Sequence, residues 1–406
     1  MKPLLLTLVP LLFITELSAM AQNITSPTPD QAALVDGNNA FAVDLYGQLR
    51  KQNGNLFFSP ESISTAFAMA YAGARTSTAA EMAVTLHYTL EPDRLHAAMG
   101  GLLSSLNSDH PGYQLRVADA LWAEKDFKFL DDFLKLTATD YGAGFNRLDF
   151  KGAPQAARGT INQWVEQKTE DKIKDLLPAG SITSSTRLVL TNAIYFKGDW
   201  QSPFEKASTA EEDFHLSSTQ TAKAPLMHLT ARFNYFNGGT FQALDIPYKS
   251  GELSMVVLLP NDADGIAVLE KSLTAAALKQ WVAQLHGGTR VMLTLPKFKM
   301  EQSFELEKTL THMGMSHAFQ ANVADFSGMT GERDLWISAA VHKAFIDVDE
   351  QGTEAAAATG IVMRPSAVMR VQPPIIFRAD HPFLFLIRDN KSGGILFMGR
   401  ITDPAK

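Results

Sequence analysis

The side chains that could carry chemistry here are serines, histidines, lysines and carboxylates, because the 406-residue chain has no cysteine. That absence removes thiolate nucleophiles, disulfides, cysteine-ligated zinc and iron–sulfur clusters together. The spacings that organise the remaining groups into sites are missing as well. There is no G-x-S-x-G elbow, no H-E-x-x-H helix, no G-x-x-x-x-G-K-[ST] phosphate loop and no G-x-G-x-x-G. His312 and His317 are five apart, which puts them on different faces of a helix and argues against a metal pair. The carboxylates are scattered, so an acid–base pair would have to be assembled by the fold. The residues give no reason to expect an enzyme, a metal or a cofactor.

One segment is unusual. Asp349, Glu350, Gln351, Gly352, Thr353 and Glu354 run into Ala355, Ala356, Ala357, Ala358 and Thr359, then Gly360, Ile361, Val362, Met363, Arg364, Pro365, Ser366 and Ala367. Alanine favours a helix, and a solvated linker is the other plain reading. Gly360, Pro365 and the Pro373–Pro374 pair prevent a long helix. Small residues in that number also suit a segment that must slip into a closed sheet. With a period of two, Thr353, Ala355, Ala357, Thr359, Ile361 and Met363 share one uncharged face that can be buried.

The elements that would position these residues divide along the chain. Phe41, Leu45 and Leu49 mark one helical face, and Ser59–Pro60 pairs an N-cap with proline at the first helical position. Thr78 and Glu81 have capping-box spacing, and a helical stripe runs over residues 154–177. Apolar runs at 188–196, 254–259 and 291–295 read as buried strands, and 383–387 with 395–398 as a C-terminal hairpin. Helices lead, strands follow, and strict βα alternation is absent, so the fold class is α+β.

Hydrophobic residues make up 46% and charged residues 19%, enough apolar content for a sizeable core rather than a disordered chain. A formal charge of −7 argues against nucleic acid or an anionic membrane as the main partner. Lys2, the apolar stretch 4–13 and Ala19-Met20-Ala21 read as a signal peptide over 1–21, too short to span a bilayer. The protein is expected to be exported, whether secreted, extracellular or periplasmic. Residues 22–35, with Pro27 and Pro29, read as a flexible tail. Residues 36–406 read as one domain.

At this point the chain resembles the serpins, serine-protease inhibitors with an exposed reactive loop. The resemblance runs from about Asp36 to Pro404 and rests on five motifs in order. They are Asn55-Leu56-Phe57-Phe58-Ser59-Pro60-Glu61-Ser62-Ile63, Thr191-Asn192-Ala193-Ile194-Tyr195-Phe196-Lys197-Gly198-Asp199-Trp200, Ala340-Val341-His342-Lys343-Ala344, the hinge from Glu350 to Thr359, and Phe377-Arg378-Ala379-Asp380-His381-Pro382-Phe383-Leu384-Phe385. It implies three β-sheets, eight or nine helices and a reactive-centre loop over about 350–376. It also implies a polar shutter of Ser59, Ser62, Asn192 and His342, with Trp200 at the breach where the loop enters. Taken alone, Ser59 reads as a helix cap and His342 as a core histidine, with no triad.

The mechanism implied by the resemblance is a conformational trap without cofactor or metal. A protease attacks the loop, forms an acyl-enzyme, and is dragged away as the hinge inserts into the central sheet; this insertion is a known example of strand addition. A strand from Thr353 to Ser366 would span roughly 46 Å. Counting from the hinge places the reactive bond at Ser366–Ala367, with Arg364, Met369 and Arg370 as alternatives. The small Ser366 suits an elastase- or subtilisin-like protease, and the arginines a trypsin-like one. A monomer is expected, with no nucleic-acid or membrane partner. The rival reading is a non-inhibitory serpin acting as carrier, chaperone or storage protein.

Overall fold

The structure, a computed structural model, describes residues 27–107, 112–142, 144–353 and 373–406. The expected leader at 1–21 lies outside them, as do Glu354, Ala355, Ala356, Ala357, Ala358, Thr359, Ser366 and Ala367. No described helix is long and apolar enough to cross a membrane.

The chain begins with helix α1 (Pro29–Leu49), followed by strand β1 (Leu56–Phe58) and helices α2 (Pro60–Tyr71), α3 (Thr76–Thr85) and α4 (Pro92–Leu106). Strand β2 (Tyr113–Glu124), α5 (Asp131–Tyr141), β3 (Phe145–Leu148), α6 (Pro154–Lys168) and β4 (Leu188–Asp199) complete the first half. The second half is mostly sheet. It carries β5 (Ala210–His215), β6 (Thr221–Asn237), β7 (Phe241–Pro247), β8 (Leu253–Pro260), β9 (His286–Pro296) and β10 (Phe298–Glu305), with short helices between. It ends with β11 (Ile337–Val348), β12 (Gly352–Thr353), β13 (Ile375–Arg378), β14 (Phe383–Asp389) and β15 (Ile395–Ile401). The helices-then-strands division holds, and the fold is α+β.

Hydrogen bonding joins the described strands into a six-stranded sheet, β10-β11-β12-β4-β2-β3, and a nine-stranded one, β1-β15-β14-β8-β7-β6-β9-β13 with β5 on β6. The three sheets implied by the resemblance correspond to these two because β6 serves two groups. Its end at Asn234–Asn237 pairs with β7, while its earlier part pairs with β5 and β9. The expected hairpin is β14 and β15, antiparallel with Phe385 opposite Gly399. The main core lies between the sheets, where Phe196 of β4 meets Phe397 of β15 at 5.8 Å and Phe298 of β10 meets Phe385 at 5.4 Å. A second cluster lies on the outer face of the six-stranded sheet, under α6.

Three local expectations change. The tail expected over 22–35 is already helix from Pro29, since Thr28 and Gln31 form a reciprocal capping box and proline fits the first helical position. The capping box read at Thr78 and Glu81 does not form. Thr78 accepts from the Asp325 N–H, and Glu81 from the Ser316 and His317 N–H groups, so tertiary donors take both side chains. The stripe expected to run to 177 is helical only to Lys168; beyond it Ile173, Leu176 and Leu177 still pack on the outer cluster as a loop.

Candidate functional site

The site follows one seam in the six-stranded sheet. β4 and β11 run parallel and pair directly from Leu188 opposite Ile337 to Tyr195 opposite Phe345. Beyond Tyr195 they part, and β12 enters from the far end: Thr353 pairs with Val348 of β11 on one side and Gly198 of β4 on the other. A strand direction that alternates faces sends the Thr353 side chain inward, where it is fully buried and its hydroxyl lies 2.9 Å from the Tyr248 hydroxyl. Gly352 is required here by close approach. A Cβ on it would lie 2.0 Å from the Gly198 carbonyl oxygen.

The residues around the hinge anchor it. Trp200 stacks on Tyr248 with ring centroids 4.7 Å apart and donates its indole N–H to the Asp349 carbonyl at 3.0 Å. The Trp200 and Phe204 N–H groups donate to the Gln351 and Glu350 carbonyls. Glu350, almost wholly buried, accepts from Lys297 at 2.9 Å and from the Thr209 hydroxyl at 2.8 Å. Burial pushes against its ionised form, but the Lys297 ammonium and the other donors prevail and its carboxyl sits below the ordinary range.

Lower in the seam the structure brings Ser59, Ser62, Asn192 and His342 together, all buried. Ser59 caps α2 by accepting from the Ser62 N–H at 3.2 Å, and α2 lies beneath β2 and β4. The tautomer of His342 follows from its partners. The Ser59 N–H donates to Nε2 at 3.1 Å, so Nε2 carries a lone pair and Nδ1–H donates to the Asn192 carbonyl oxygen. Burial lowers the pKa of His342 to about 3, keeping the ring neutral. This histidine activates no nucleophile; it closes a hydrogen-bond chain across the seam.

Sequence reasoning missed the end of that chain. The Asn192 amide donates to Asp119 of β2 and to Ser62, and the Ser62 hydroxyl donates to Asp119 at 2.9 Å. The side-chain donors of His342, Asn192 and Ser62 therefore all lead toward one carboxylate. The available signal was a lone aspartate between Ala118 and Ala120 in an apolar strand. His312 and His317 stay apart: the first turns back to the Lys308 carbonyl, the second to Glu81. No cluster of three metal-ligating side chains occurs among the described residues.

The outer face of the seam is covered. Val189, Ala193 and Tyr195 of β4 and Val341 and Phe345 of β11 pack against Ile161 and Val165 of α6 and the loop beyond it. Lys343 of β11 pins that loop by donating to the Lys174 carbonyl at 2.6 Å, while pairing with Glu301 at 2.6 Å.

Comparisons with known proteins agree with this geometry. Residues 36–404 match the family described as Serpin (serine protease inhibitor). The chain is 41% identical over 381 residues to the leukocyte elastase inhibitor of Equus caballus, covering 91% of this chain and 99% of that protein. It is 41% identical over 391 residues to Serpin B3 of Homo sapiens, covering 92% and 100% of the two chains. The crystal structure of Serpin48 from the insect Tenebrio molitor matches with a TM-score of 0.80 at 33% identity, over 91% of this chain and 98% of that one. A polar relay beneath the β4–β11 seam, with Thr353 seated where the two strands part, thus sits in a chain that belongs to the serpin family.

Proposed function

We propose that this protein inhibits serine proteases as a suicide substrate, as a monomer and without a cofactor. The observation that carries the reading is Thr353, held between β4 and β11 at the point where they separate. The protease serine attacks the Ser366 carbonyl, an ester to the enzyme forms, and the peptide beginning at Ala367 leaves as the amine. The freed end then follows Thr353 down the seam.

The register supports the hinge count. Continuing it residue for residue from Gly198 and Val348 brings Met363 opposite Leu188 and Ser338, where the direct pairing of β4 with β11 ends. That travel is about 33 Å. Arg364 and Pro365 then form a short tether to an acyl group on Ser366, whereas an acyl group on Arg370 would hang on a longer, slacker one. The face shared with Thr353 is uncharged and suits the core. The other face offers Glu354 near the open top, then Ala356, Ala358 and Gly360, small enough to pass under α6. Insertion replaces one ladder by two. With about 1 kcal/mol net per ladder bond, a gain on the order of 10 kcal/mol is available to distort the acyl-enzyme, and loss of oxyanion contacts stalls its hydrolysis.

The horse relative is named an inhibitor of leukocyte elastase, and the small Ser366 agrees with an elastase- or subtilisin-like target. Incubation with a protease panel and denaturing electrophoresis tests the reading. A covalent 1:1 band, with a released peptide starting at Ala367 by mass spectrometry, supports it. Digestion by every protease without a band overturns it in favour of a carrier or storage role, and a peptide starting at Val371 or Pro365 moves the target class to trypsin-like enzymes. The basic start, apolar stretch and Ala19-Met20-Ala21 support export, and N-terminal sequencing of the mature protein should begin at Gln22.

A further inference from the structure

Helix α4 carries a histidine that neither the hinge nor the shutter uses. His96 is 2% exposed and its Nδ1 lies 2.6 Å from the Tyr141 hydroxyl of α5, yet Nε2 has no hydrogen-bond partner among the described residues. A buried polar nitrogen left without a partner is costly. A phenol is the stronger donor of the two groups and an imidazole nitrogen the stronger acceptor. Tyr141 O–H therefore donates to Nδ1, and Nε2 bears the ring hydrogen. Burial lowers the pKa of His96 to about 4, so the ring is neutral and this N–H is its one donor.

A cleft of 440 Å³, within the range of small-molecule sites, opens beside this ring between α2, α3, α4 and α5. Tyr71, Ala79, Phe133 and Leu136 give it apolar walls; His96 lines it too, and Tyr141 does not. With Nδ1 turned to Tyr141, the edge of the ring that carries Nε2 is the one left for the cleft. Thr76 on the same wall holds a φ of 50°, a left-handed conformation that β-branched residues rarely adopt and that gathers at ligand sites. At the mouth stand Arg75, already donating to the Ala72 and Ala74 carbonyls, and the exposed carboxylates Asp93 and Asp132.

We propose that this cleft binds a small uncharged molecule with a flat apolar body and a carbonyl oxygen, which accepts the hydrogen bond from His96 Nε2–H. The body lies against Tyr71, Phe133 and Leu136, where aromatic rings offer stacking surface. Two carboxylates against one arginine at the mouth disfavour an anion. An ammonium would meet those carboxylates only at the mouth and leave Nε2–H unpaired inside. None of these residues belongs to the hinge or the shutter, so occupancy of the cleft does not depend on protease inhibition.

The test titrates the intact protein by NMR with one skeleton in four forms: indan-1-one, indane, 1-aminoindane and indane-1-carboxylate. Indan-1-one should bind about tenfold more tightly than indane, because only the ketone pairs the buried donor, and more tightly than either charged probe. Nitrogen-15 spectra of histidine-labelled protein should show His96 protonated at Nε2, with that resonance moving as indan-1-one binds. His96→Phe should remove the advantage of the ketone while indane still binds. Leu136→Trp, which fills the cleft from α5, should abolish binding of both. Equal affinity for ketone and hydrocarbon, preference for a charged probe, a hydrogen on Nδ1 instead, or binding that survives Leu136→Trp each overturns the proposal. Binding of none of the probes means that water alone meets Nε2–H, and overturns it as well. If His96→Phe does not fold, the wild-type ranking and Leu136→Trp decide.

Discussion

At the top of the central sheet β4 and β11 stand apart around Thr353, whereas lower down the same two strands are hydrogen-bonded and tied from beneath by His342, Asn192 and Asp119. The upper gap is held by the packing of Trp200 on Tyr248, the Lys297–Glu350 ion pair and the Trp200 indole on the Asp349 carbonyl, contacts made by residues just past the ends of β4 and β11. The lower closure depends on polar side chains of the two strands themselves. The two strands are thus already apart beside Thr353 and bridged lower down, along the path that the proposed insertion would take. On that proposal, what matters is which bonds bridge the strands and how easily an inserted strand would replace them.

The largest effect on that contrast should come from Thr353→Arg. A guanidinium in the site of the buried threonine would lack a partner and cost several kcal/mol. Insertion slows while cleavage continues, so the number of inhibitor molecules consumed per protease trapped should rise about tenfold or more. An unchanged stoichiometry by titration would separate the hinge from the gap at Thr353. Next in size, nicking the loop without a trapped protease should raise the Tm by about 10 °C or more, because the added strand satisfies both edges of the opened seam. An equal or lower Tm after nicking would mean the upper gap is a static feature.

Asn192→Ala attacks the lower closure. It leaves His342 Nδ1–H and the Asp119 carboxylate short of a buried partner, a loss of about 1–3 kcal/mol in chemical denaturation. It should also speed conversion of the intact protein to an inserted form. The smallest effect is acid sensitivity. His342, held neutral with a pKa of about 3 against an ordinary 6.5, contributes stability that is complete above about pH 6.5 and lost as pH falls toward 3. Denaturation midpoints of wild type and His342→Gln should converge over that fall.

Much of this architecture was legible in the residues. Ser59–Pro60 forecast the start of α2, the apolar runs forecast β4, β8 and β9, and period two in the hinge forecast the inward turn of Thr353. What escaped was whatever depends on register between distant segments. Asp119 becomes part of the relay because β2 pairs antiparallel with β4 and sets it opposite Asn192. No local pattern encodes that. Glu61 stands in the first turn of α2, where an acid favours the dipole, and no local pattern marks it as buried. Thr78 and Glu81 had the right spacing for a cap and lost it to donors more than two hundred residues away. Pro29 was the reverse case: proline suggested a tail and instead opened a helix.

Strand β1 is only three residues long, and its partner is β15, with Leu56 opposite Arg400 and Phe58 opposite Met398. The aromatic stack of Phe57 on Phe397 and Phe385 therefore joins segments more than three hundred residues apart in sequence. During synthesis at about 5–20 residues per second, the amino-terminal helices must wait on the order of tens of seconds for the strands that cover them. A nascent chain truncated before Ile395 has no native lining for that side of its core. That side of the core consequently waits on translation of β15, and ribosome stalling before Ile395 should expose the chain to chaperones for as long as the stall lasts.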